Sequence, residues 1–166
     1  SVINELPNLT LSLQFVDGKQ IILLNGNDVG DRIRTPEISM AASAISAYQD
    51  VRNYLLNTQR NIAKENSVIM DGRDIGTVIL PNADVKIFLT ASPEERATRR
   101  YKELIEKGSK VEYKEVLDDL IQRDYNDMNR EHSPLKKADD AISLDSTSMT
   151  VEEVEQAILD IVAERV

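Results

Sequence analysis

The sequence predicts an α/β fold with a parallel sheet and helices on both faces, and three observations carry that expectation. Three short apolar runs, SVIM at 67–70, VKIFL at 85–89 and AISL at 141–144, each have the length of a strand. Helical patterns with their own start and stop signals separate these runs, as in a βαβ alternation. The 166 residues, 41 % of them apolar, suffice for one ordinary core. Aromatics make up 4 % and Trp is absent, so that core is aliphatic.

Taken in order, Leu9 to Val16 alternates like a half-buried strand, Asp17-Gly18 turns, and Gln20 to Asn25 returns, which is a hairpin. Gly26 to Arg34 reads as a polar loop. Thr35-Pro36-Glu37 supplies an N-cap, a proline at the first helical position and an acid in the first turn, so a helix starts there and runs through MAASAISA. A second helix follows Asp50, with Val51, Leu55, Thr58 and Ile62 on one stripe. Ser92-Pro93-Glu94-Glu95 forms a capping box that opens a helix ending near Gly108. Another helix spans about Tyr113 to Asn129, before Pro134. Thr150 to Glu153 is a second capping box, opening a last helix with Val154, Ile158 and Ile161 on its apolar face.

Several function classes are excluded by composition. A net charge of −9 argues against a nucleic-acid binder, which needs a basic face. It leaves room for a small anionic ligand, since a few of the 11 arginines gathered in one cleft outweigh the sum. Without Cys there is no disulfide or thiolate chemistry, which suits the cytoplasm. His132, the one histidine, makes no His-based metal cluster. The apolar runs are too short for a membrane span, and no basic-then-apolar leader follows Ser1. A start at Ser rather than Met points to residues lost upstream.

Four groups of residues are candidates for chemistry. Asp71-Gly72-Arg73-Asp74 follows the SVIM run, where open parallel sheets bind ligands, although a strand-end turn with a local ion pair has the same composition. Arg123, Asp127 and Arg130 are spaced by four and three and share a helical face. That face begins apolar at Val116 and Leu120, so the helix is anchored in the core and delivers its polar end to a cleft, where substitutions barely disturb folding. An exposed salt-bridge ladder fits the spacing equally well. Arg96, Arg99 and Arg100 lie together ahead of Gly108-Ser109-Lys110, where a polyphosphate would relieve their mutual repulsion, as would Glu95 and Glu103. Ser43 and Arg52 attract no notice by themselves.

The blocks DGRDIGTVILPNADVKIFLTAS, EERATRR and QRDYNDMNREHSPLKKADDAISLDST, in that order, resemble the bacterial cytidylate kinases. LNGNDVGDRIRTPEIS resembles the nucleoside-monophosphate-binding insert of the same family. The resemblance implies a P-loop nucleoside-monophosphate-kinase-like sheet, with residues 1–66 as the insert and its helices, and 67–166 as the remaining core with a lid around 96–112. It implies phosphoryl transfer from ATP, with Mg2+, to CMP or dCMP. Ser43, Arg52, Asp74 and Arg130 would face the cytosine, and Arg123 and Asp127 the sugar. Arg73 would hold the CMP phosphate, and Arg96, Arg99 and Arg100 would close over the ATP phosphates, with Arg73, Arg99 and Arg100 as the catalytic arginines. CMP, dCMP and ATP would be the partners of a cytoplasmic monomer, with no nucleic acid or membrane.

One departure shapes the expectation. The family opens with a strand and a G-x-x-x-x-G-K-[ST] loop, and no such run occurs in these residues. The chain therefore reads as a family member lacking its phosphate-loop segment, its central first strand and its main magnesium ligands, and so inactive as it stands. The alternatives are a catalytically inactive CMP-binding fragment and an α/β interaction module.

Overall fold

A computed structural model describes residues 2–166; Ser1, on which the expectation about a leader falls, lies outside the described residues. The chain divides into two compact units, Ser1–Ser67 and Val68–Val166.

In the first unit a short helix α1 (Val2–Glu5) and a 3-10 turn precede an antiparallel meander of β1 (Leu11–Val16), β2 (Lys19–Leu24) and β3 (Asn27–Asp28). Val16 pairs with Lys19 across Asp17 and Gly18, whose φ values of +51° and +75° make the turn that the right-handed strand twist prefers. The same device recurs at Asn25 and Gly26, φ +50° and +77°, which pair Leu24 with Asn27. The segment read as a loop from Gly26 therefore begins with a third strand; its Asn-Gly signal was visible in the sequence. Helix α2 (Pro36–Ile45) starts as expected, with Thr35 Oγ1 accepting from Ile38 N at 3.3 Å. Helix α3 (Gln49–Glu65) buries Val51 and half-buries Leu55, Thr58 and Ile62, the expected stripe.

In the second unit, β4 (Ile87–Thr90) and β5 (Ile142–Asp145) pair in parallel, Ile87 opposite Ile142 and Thr90 opposite Asp145. Two of the three apolar runs thus become strands by pairing with each other. The third does not: residues 67–70 form no strand, and the Ile69 side chain is fully exposed. This corrects the expected sheet, since among the described residues the parallel sheet has two strands. An apolar run is a strand only where its amides and carbonyls find a ladder, and short runs do not declare their partner.

Helices α4 (Pro93–Glu106) and α5 (Tyr113–Asn129) pack on each other around Ala97, Leu104 and Val116, with Tyr101, Val111, Tyr113, Leu117 and Leu120 closing the cluster. Tyr101 and Tyr113 meet edge-on at 5.9 Å. Helix α4 is capped by Ser92 Oγ accepting from Glu95 N at 3.1 Å. The box is not closed, because the Glu95 carboxylate accepts from Arg99 Nε instead, at 2.9 Å. Gly108, at φ +79°, ends the helix: its N–H reaches the Ile105 carbonyl and Ser109 N–H that of Leu104, both at 2.9 Å. Glu112 and Glu115 close a capping box on α5, and Thr150 and Glu153 one on α6 (Val151–Ala163). No helix among the described residues is long and apolar enough to cross a membrane.

Candidate active site

The segment after Met70 turns sharply. A Cβ on Gly72 would sit 3.0 Å from Ile75 Cγ1, so the turn packs on a side chain that only glycine admits without a shift. Asp74 then starts a single π-helical turn, Ile75–Ile79: its carbonyl accepts from Val78 N at 2.9 Å and Ile79 N at 3.3 Å, and that of Ile75 from Leu80 N at 2.7 Å. Such turns recur at functional positions because the wider coil re-aims its flanking side chains. Asp74 itself is buried.

Asp127 is where three of the second unit's arginines converge. Although it lies at the polar end of α5, it is only 2 % exposed, because the segment after the helix folds back and donates Leu135 N to the Asp127 carbonyl at 2.7 Å. Its Oδ2 accepts from Arg73 Nε at 3.0 Å, and Arg123 Nε lies 3.8 Å from the same oxygen. Arg130 Nη1 lies 3.7 Å from Oδ1, while its Nε donates to the Ser133 carbonyl at 2.6 Å. Three guanidiniums thus gather on one buried carboxylate, a locus of positive charge in an acidic chain. Burial, and then the neighbouring Arg73, push the Arg123 pKa below the ordinary guanidinium value; Asp127 and Asp124 oppose that shift. The group stays charged, since guanidinium begins so high.

The three α4 arginines do not share one target. Arg96 donates Nε to the Ala91 carbonyl at 3.1 Å and Nη2 to Asp124 Oδ2 at 2.6 Å. Arg100 pairs with Glu103 at 2.7 Å and lies close enough to Arg123 to disfavour its charge. Arg99 turns away, donating to the Ser146 carbonyl at 2.6 Å, Ser146 Oγ at 3.3 Å and the Met149 carbonyl at 3.2 Å, so it clasps the connection from β5 to α6. In the first unit, Arg52 Nη1 donates to the Ser46 carbonyl at 3.2 Å and Ser46 Oγ to that of Ser43 at 2.8 Å. One chain of bonds therefore joins Ser43 and Arg52.

Asp124 was missed in the sequence. It stands beside Arg123, but its partner is 28 positions away and meets it only through the packing of α4 on α5. Among the described residues, no three His, Cys, Asp or Glu side chains converge as a metal site. The cluster suits an anion, and these residues do not fit a resident metal. Magnesium is commonly held by one or two carboxylates and the phosphates it accompanies.

The sequence model of the cytidylate kinase family matches residues 2–164. The chain belongs to the cytidylate kinase family. It is 51 % identical over 160 residues to the cytidylate kinase of Caldicellulosiruptor saccharolyticus, covering 96 % of this chain and 71 % of that protein. The cytidylate kinase of Thermosipho melanesiensis is 52 % identical over 155 residues, 93 % of this chain and 70 % of its own length. That of Lactobacillus johnsonii is 46 % identical over 165 residues, 99 % and 72 %. The chain is therefore of the phosphoryl-transferring, nucleotide-binding kinase type, and ATP with magnesium is the family's donor. The family match, which spans residues 2–164 of this chain and 71 % of the length of the Caldicellulosiruptor saccharolyticus protein, corrects the reading of the chain as an inactive fragment defined by a missing phosphate-loop segment and first strand. The expectation of inactivity, which rested on that reading, falls with it.

Proposed function

We propose that this cytidylate kinase family member transfers the terminal phosphoryl group of ATP to CMP and dCMP, giving CDP and dCDP, as a cytoplasmic monomer. The observation that carries this reading is the buried Asp127 carboxylate gathering Arg73, Arg123 and Arg130, with a buried Asp74 following Arg73 in the chain. Phosphoryl transfer asks for positive charge and alignment, with little acid–base machinery, because the acceptor phosphate is already an oxyanion. The Arg73 guanidinium, oriented by its bond to Asp127, serves the CMP phosphate. Asp127 and Arg123 serve the sugar. Cytosine offers an amino donor beside two acceptors, which asks for a carboxylate acceptor beside cationic donors; in the second unit Asp74 with Arg130 answers that demand. Arg96 and Arg100 serve the ATP phosphates; Arg99 joins them only by releasing Ser146 and Met149.

The test is a coupled assay at saturating ATP and magnesium with CMP, dCMP, UMP and AMP as acceptors. We expect kcat/KM for CMP and dCMP to exceed that for UMP by about a hundredfold, the order a mismatched buried hydrogen bond commands. Equal use of UMP or AMP, or no turnover of CMP, refutes the assignment.

A further inference from the structure

The two acids near the C-terminal end of α5 divide the arginines between them. Asp127 serves Arg73, Arg123 and Arg130, whereas the Asp124 carboxylate reaches across to α4 and takes Arg96 at 2.6 Å. The Asp124 side chain is 15 % exposed, and Arg96 is also held at Nε by the Ala91 carbonyl, in the connection from β4 to α4. A short, charge-assisted bond to a largely buried acceptor orients a guanidinium in a way that exposed ion pairs do not. Two anchors on two nitrogens fix the plane of the group, and Nη1, engaged by no described residue, is left at its remaining edge. An arginine fixed before its ligand arrives loses less rotamer freedom on binding.

We propose that Asp124 is a positioning residue for Arg96, presenting the guanidinium edge to the phosphoryl groups of a nucleoside triphosphate. The proposal rests on the reading of Arg96 as a phosphate-binding arginine given above. Its signature is the sign of one effect. Removing a carboxylate from among arginines strengthens anion binding if only local charge matters. It weakens anion binding if the carboxylate acts by orienting its arginine.

Isothermal calorimetry on the full chain with inorganic tripolyphosphate as probe, and CMP as control, separates these. Asp124→Asn should bind tripolyphosphate about five- to tenfold more weakly and CMP within about twofold of the unaltered protein. Arg96→Ala should show the same pattern, and the double variant should be no weaker than Arg96→Ala alone. Should the Asn variant fail to fold, Asp124→Glu carries the test, because the longer acid displaces the guanidinium and should still lower tripolyphosphate affinity alone. Tighter tripolyphosphate binding by Asp124→Asn, equal weakening toward CMP, additive losses in the double variant, or an unaltered affinity in Asp124→Glu overturns the proposal. If Arg96→Ala leaves tripolyphosphate binding unchanged, the phosphate role of Arg96 fails and the positioning role with it. CMP phosphorylation is judged by its own assay.

Discussion

Replacing Asp127 by Asn keeps the shape of the hub and removes its charge. Taking one partner from a buried ion pair costs about 3–5 kcal/mol, because the other charge is left in a poor solvent. The three arginines here are not equally stranded. The Arg73 and Arg123 side chains are 37 % and 27 % exposed and can turn toward water, but that of Arg130 is 7 % exposed and cannot. One trapped cation sets the expectation at the low end, about 3 kcal/mol, or a fall of about 9 °C in melting temperature for a chain of this size. This reverses the expectation that changes at the polar end of α5 would barely disturb folding. Urea unfolding followed by circular dichroism measures it, read beside Asp127→Asn/Arg130→Met, in which the stranded cation is also gone. The double variant should recover about half of the loss. A single variant within about 0.5 kcal/mol of the unaltered protein, or a double variant less stable than the single, refutes the account of Asp127 as a buried counter-charge.

Three further outcomes follow from the same residues. Asp74→Asn should lower kcat/KM for CMP far more than for UMP, because an amide can offer uracil the donor that a carboxylate lacks; equal losses in the coupled assay would make Asp74 purely positional. Gly108→Ala should destabilise by about 1 kcal/mol in urea unfolding, entirely through its φ of +79°, since an added Cβ meets nothing within 4 Å. Glu103 is held below the usual carboxylate range by its hydrogen bonds to Lys107 and then Arg100. A lowered folded-state pKa makes this contribution present above the unfolded value and lost as pH falls through the folded one. The stability of Glu103→Gln relative to the unaltered chain should therefore fall behind above about pH 4.5 and draw level in stronger acid, and a pH-independent difference would show that the pairing is inert.

The local elements were legible because their causes are local. Thr35 before Pro36, Ser92 before Pro93 and Thr150 with Glu153 satisfy helix amides within one turn, so each helix start could be read from adjacent residues. The hairpin turn at Asp17-Gly18 and the stop at Gly108 follow from left-handed backbone that few residue types accept. The grouping of Arg123, Asp127 and Arg130 was legible as helical spacing, and that of DGRD as a turn rich in charge. Pairing across the chain was not. SVIM has the composition of a strand, as VKIFL and AISL do, but composition does not say which runs find a ladder. The expected lid arginines carry equal charges and nearly equal spacing, yet Arg96 turns to Asp124 while Arg99 turns to Ser146, 47 positions away. Asp127 reads as the exposed end of a stripe, and becomes the most enclosed carboxylate of its unit only because Leu135 folds back over it and Arg73 arrives from 54 positions earlier. The sequence by itself determined where helices begin, where the chain turns and which residues carry charge, because those depend on neighbours within a turn. Tertiary structure alone decided which charges are buried and which partner each arginine takes, because desolvation and ion pairing depend on distances that only packing sets.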